Sequence, residues 1–90
     1  MLNEVLLKAK GFLNFRKQSY EMVFKQDNRF VKEVMKDLAK FCRLNDSCFN
    51  PDPRIHAILE GRREVILRIM KHINLDHDQL WREYGRKDIE

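Results

Sequence analysis

Ninety residues allow one domain, close to the smallest size that folds without staples. A composition of 43% hydrophobic and 36% charged residues excludes a disordered or membrane-embedded chain, and two cysteines, Cys42 and Cys48, exclude a disulfide scaffold. The net charge of +4 biases the chain towards acidic partners but stays well short of a nucleic-acid-binding arm.

The opening stretch, MLNEVLLKAKGF, has the outline of a short signal sequence but lacks its basic start and small-residue cleavage site. Lysines interrupt its apolar run, so it reads as an amphipathic helix of an intracellular protein with no membrane partner. Leu2, Val5, Leu6, Ala9 and Leu13 share a face that Tyr20, Val23 and Phe24 continue in phase, predicting a helix over about residues 3–25. Gly11 or Asn14 marks where it would bend or divide. In the polar KQDN turn, Asp27 or Asn28 can cap a second helix. Its expected buried stripe is Phe30, Val31, Val34, Leu38 and Phe41, with Met35 and Cys42 at one margin.

RLNDSCFNPDP is too polar and proline-rich to be helical and makes the one substantial loop. It ends in a strong start signal, with Asp52 as N-cap and Pro53 at the first position of a third helix reaching about residue 73. Asp76 and Gln79 have capping-box spacing at the start of a short last helix. Leu80, Trp81 and Tyr84 would dock that helix and Gly85 would end it. No segment alternates with a two-residue period. The prediction is an all-α fold: a small bundle of three main helices plus a short C-terminal helix. It forms a single domain over 1–85, followed by a short mobile tail at 86–90.

On the third helix, Ile55, Ile58, Leu59, Ile66, Ile69, Met70 and Ile73 form one stripe at about 100° per residue, and Arg62 falls near its centre. A guanidinium buried without a partner costs several kcal/mol, so Arg62 needs a carboxylate; Asp37, at the edge of the second helix's apolar face, is the expected one. Gly61 gives up roughly 1 kcal/mol of helix propensity, which close approach of a backbone or ring would offset. Glu60 and Arg63 fall farther out, as surface groups. Arg62, Asp37 and Gly61, with the Asp52–Pro53 start, thus read as an internal structural lock between helices two and three.

The same region carries a resemblance. DLAKFCRLNDSCFNPDPRIHAILEGRREVILRIMKHI, residues 37–73, combines an L-A-x-F-C element (Leu38, Ala39, Phe41, Cys42), an F-x-P-D-P element (Phe49, Pro51, Asp52, Pro53) and an E-G-x-R block (Glu60, Gly61, Arg63). This combination resembles the Bbp-nineteen-like small phage domain family of tailed phages. The loop RLNDSC is more polar than that pattern. The resemblance implies a phage origin, often beside genes for head and tail proteins, and implies no particular activity.

Catalytic chemistry is weakly represented. Cys42, Cys48 and His56 could suggest zinc, but Cys-x5-Cys is no recognised knuckle, and His72 and His77 lie far along the chain. Cys48 and His56 are the only thiol–imidazole pair close in sequence, and nothing supplies an oxyanion site. No enzyme activity, metal or cofactor is expected. The stronger signal is a basic stripe, Arg29, Lys32, Lys36, Lys40 and Arg43, spaced by three or four along helix two. Like charges at that spacing weaken a helix slightly, so the stripe is either a solvated face or a binding face for an acidic or nucleic-acid partner. Nucleic acid is the less favoured partner, because the phenylalanines occupy core positions rather than stacking positions. Trp81 and Tyr84 read either as core caps or as an interface anchor.

The functional reading is a non-enzymatic phage protein acting by binding another protein, as a small virion-associated or virion-assembly component. The alternatives are a host-takeover factor that inhibits a host protein through the basic helix face, and a nonspecific nucleic-acid-binding protein. The expected location is the host cytoplasm during infection, or the virion. The pattern sets no oligomeric state.

Overall fold

In a computed structural model the described residues are 2–85, with the side chain of Leu2 excepted. The expected tail at 86–90 lies outside them. Three long helices account for most of the chain: α1 (Leu2–Phe24), α2 (Arg29–Phe41) and α3 (Pro53–Asn74). A short α4 (His77–Leu80) runs into a single π-helical turn, Trp81–Gly85. No strand occurs among the described residues, and no helix there is long and apolar enough to cross a membrane.

Local chemistry sets the helix ends. Asn28, rather than Asp27, caps α2, its side chain accepting from the N–H groups of Phe30 and Val31. Asp52 accepts from the Arg54 N–H, and Pro53 occupies the first turn of α3, where its missing N–H costs nothing. Asp76 and Gln79 exchange both bonds of a capping box. At the C-terminus of α2 the Leu44 N–H bonds to the Ala39 carbonyl and the Arg43 N–H to the Lys40 carbonyl, the pairing of a Schellman motif. Arg43 takes the left-handed position of that motif, with φ of 54°, where glycine would be unstrained. α1 runs straight through Gly11 and Asn14 without dividing.

The fold is elongated and flattened, measuring 51 × 35 × 14 Å, with each long helix touching the other two. The radius of gyration is 15.8 Å, above the roughly 12 Å of a compact domain of this length. Large apolar side chains stay exposed on all three long helices, so much of each apolar arc is uncovered. The core is correspondingly small: Cys42, Ile66 and Ile69 are buried together, with Tyr20, Phe24, Met35, Leu38, Leu44 and Met70 packed around them.

The expected burial of α2 holds only in part: none of its residues is fully buried, and of the expected stripe Val31 and Leu38 are half-buried. Its expected margin, Met35 and Cys42, faces the core with Leu38, whereas Phe30, Val34 and Phe41 from the middle of the expected stripe are exposed. The apolar arc of α2 is wider than the contact its neighbours make, and only one edge of it is covered. On α1, similarly, Leu13 is buried and Tyr20 and Phe24 pack on the core, while Val5 and Val23 are exposed.

The stripe of α3 is covered over its C-terminal part, where Ile66, Ile69 and Ile73 are buried, and uncovered at Ile55 and Ile58. α1 closes the covered part. Lys17 of α1 and Lys25, just past its end, reach the carbonyls of His72 and Ile73 at 3.5 and 2.9 Å, placing two cations at the negative end of the α3 dipole.

Candidate protein-binding surfaces

α2 presents three sectors, each about a third of its circumference, as follows from 100° per residue. Met35, Leu38 and Cys42 face the core; Phe30, Val34 and Phe41 make an exposed apolar sector that also carries Asp37; the five basic residues fill the remainder. Within the basic sector three side chains are already engaged. Arg29 lies over the Phe30 ring at 4.9 Å, Lys32 meets Asp27 at 2.7 Å, and Arg43 donates to the Ser47 carbonyl at 2.8 Å. The Lys32–Asp27 pair is so exposed that it adds little stability. Lys36 and Lys40 are exposed and make no ion pair with any described residue.

The expected lock is not closed in the way the helical wheel predicts. Arg62 is exposed, and its guanidinium lies 4.5 Å above the Phe41 ring instead of meeting Asp37. Among the described residues Asp37 has no ion-pair partner. The reason is exposure: Arg62 stays in solvent among the described residues, keeps its hydration and needs no buried counter-ion. Nothing approaches Gly61 either, since a Cβ built there meets no atom within 4 Å.

Neighbouring contacts pin the loop to α3. The Cys48 thiol donates to the Leu59 carbonyl at 3.6 Å, His56 Nδ1 lies 3.0 Å from the Cys48 carbonyl, and Arg63 donates to the Asp46 carbonyl at 3.4 Å. Cys48 is therefore a buried packing residue of the loop, and His56 faces its carbonyl rather than its sulfur. Arg63, expected as a surface group, is half-buried and, with Arg43, holds the loop by its carbonyls.

Trp81 and Tyr84 are used within the chain. Tyr84 stacks on His72 with ring centroids 4.9 Å apart, and the Arg68 guanidinium lies 4.8 Å from the centre of the same tyrosine ring. Trp81 takes Lys10 of α1 at 5.5 Å, and its ring packs directly on the backbone of Gly85. His72 itself, which the sequence pattern did not single out, is fully buried and stacks also on Tyr20 at 4.3 Å. Its Nδ1 lies 2.8 Å from the Arg68 carbonyl, which requires the proton on that nitrogen. The Tyr20–His72–Tyr84 stack joins α1, α3 and the π-helical turn. No spacing within a single element signals it, because the three rings come from three separate elements.

Two solvent-open grooves flank this region. One is lined by Glu64, Arg68, Lys71, Glu83 and Tyr84, the other by Lys17, Lys25, Asp76, His77 and Asp78. Their polar groups are largely committed to the fold: Lys71 pairs with Glu83, Lys17 with Glu21, and Lys25 with the Ile73 carbonyl. The Lys17 hydrogen bond holds the Glu21 carboxyl below its ordinary range, and the Glu83 hydrogen bond raises Lys71 above its own. No three His, Cys, Asp or Glu side chains converge on a metal-sized site among the described residues.

The larger unpartnered surfaces are apolar. The outer side of α1 exposes Val5, Phe12, Phe15, Met22 and Val23, each 57–70% accessible. The apolar sector of α2 meets the uncovered end of α3 where Arg62 touches Phe41. No curated protein and no solved structure matches the chain. A family model described as Bbp19-like phage protein matches residues 20–83, the segment from the Tyr20 turn of α1 through α2, the pinned loop, α3 and most of the C-terminal turn. With well over half of its length matched, the chain belongs to the family of Bbp19-like phage proteins.

Proposed function

We propose that this phage protein acts without catalysis, by binding another protein, as a small virion-associated or virion-assembly component. The observation that carries the reading is the exposed apolar row on the outer side of α1. With Leu7, six large apolar side chains of α1 are over half exposed, more than scattered surface hydrophobics, and we read them as a contact surface. Phage structural proteins are the partners most consistent with the family. The deciding measurement is mass spectrometry of purified, nuclease-treated virions. A fixed copy number supports a particle component; absence from virions with abundant protein in infected cells leaves an assembly helper or a host-directed factor.

The second reading, a host-takeover factor acting through the basic sector of α2, is favoured by Lys36 and Lys40, which stand exposed with no acidic neighbour paired to them. Replacing both by glutamate would abolish capture of such a host protein and leave virion incorporation unchanged. Nonspecific nucleic-acid binding through the same sector predicts affinity that falls steeply with salt.

A further inference from the structure

The apolar sector of α2 and the uncovered end of α3 form a second surface, on which charge is arranged differently from the outer side of α1. Phe30, Val34 and Phe41 on α2, with Ile55, Ile58 and Val65 on α3, are each 43–69% exposed. One acidic group, Asp37, lies among the α2 residues one turn before Phe41, and one basic group, Arg62, lies among the α3 residues. The two strips meet at the Arg62–Phe41 contact, yet Arg62 and Asp37 are not paired within the chain.

We infer that this face is a homodimer interface, in which Arg62 of each copy pairs with Asp37 of the other across a twofold axis. A twofold contact joins a surface to itself, so residue i meets residue j and j meets i. A face with one acidic and one basic group, both unsatisfied by the other in the same chain, is self-complementary under that operation. Carbonyl and thiol contacts hold the loop along the Leu59 edge of α3, leaving the Ile58–Arg62–Val65 edge open to a partner.

The area is adequate. Six side chains exposing on the order of 100 Å² each give about 600 Å² per copy, the upper range for a monomer's largest apolar patch. Two copies would then bury about 1,200 Å², the lower edge of stable interfaces, so dissociation in the micromolar range is expected. The chain's accessible surface of 7241 Å² also exceeds the roughly 5,600 Å² that size scaling gives for a compact monomer of this mass.

The test is light scattering or sedimentation of the full chain from micromolar to millimolar concentration. The expected result is a concentration-dependent rise from the 11.0 kDa chain mass to twice that value. Asp37→Arg and Arg62→Asp should each weaken association at least ~10-fold, and the two together, which exchange the charges, should restore it. Helicity by circular dichroism checks the fold, and Val34→Lys serves as a second disrupting variant should either charge change unfold the chain. A wild-type chain that stays monomeric at millimolar concentration overturns the inference, as does a dimer indifferent to all these substitutions. Neither result touches the virion reading, which virion composition tests separately.

Discussion

The two ends of α3 carry the same apolar periodicity and meet opposite fates. Ile66, Ile69 and Ile73 are buried against α1 and α2, whereas Ile55 and Ile58, on the same stripe, remain in solvent. The difference lies in what crosses each end: Tyr20 and Phe24 of α1 lie over the covered end, and a loop pinned by Cys48 and Arg63 occupies only one edge of the other. A stripe states where a helix can be covered; its neighbours determine how much of it is.

Substitution at the two ends should separate them most clearly. Ile66→Ala is expected to cost about 3 kcal/mol, from lost transfer energy and an unfilled cavity. Ile58→Ala should stay within about 0.5 kcal/mol at dilutions where the chain is monomeric. Urea midpoints read both, and equal shifts would break the comparison. His72→Ala removes two stacking contacts from a fully buried site and should cost about 2 kcal/mol, visible as a lower melting temperature.

Smaller effects sharpen the same contrast. Arg43→Gly relieves the left-handed conformation that ends α2 and should stabilise the chain by about 1 kcal/mol in urea. Arg62→Ala should cost only about 0.5–1 kcal/mol, the worth of an exposed contact with the Phe41 ring. A loss of several kcal/mol would instead show that Arg62 is held inside the fold, as the helical wheel predicts.

The smallest effects concern pH. Glu21 is lowered chiefly by its hydrogen bond to Lys17, so its contribution is present above the ordinary carboxylate range and fades as the pH falls through its lowered value. Lys71 is raised chiefly by Glu83, so its contribution holds below the ordinary lysine value and is lost as the pH climbs through its raised one. Both pairs are partly solvated, and salt should screen them. Thermal melts of Glu21→Gln should show a flatter acid limb, and those of Lys71→Met a flatter alkaline limb.

Helix existence and helix ends were legible in the sequence because they rest on interactions within a few residues. Asp52–Pro53, the Asp76–Gln79 box, a cap in the KQDN turn and the 3.6-residue periodicity are local signals, and the structure contains the helices they delimit. The family resemblance was legible for a related reason: Leu38, Phe41, Asp52, Pro53 and Arg63 are fixed-spacing marks along one stretch of chain.

Tertiary structure alone decided which edge of each apolar arc is covered. It exposed Phe30, Val34 and Phe41, placed Arg62 on a ring instead of a carboxylate, and buried His72 between two tyrosines more than ten residues away. Burial depends on how many neighbours surround a helix and from which sides, and periodicity within that helix carries no record of them.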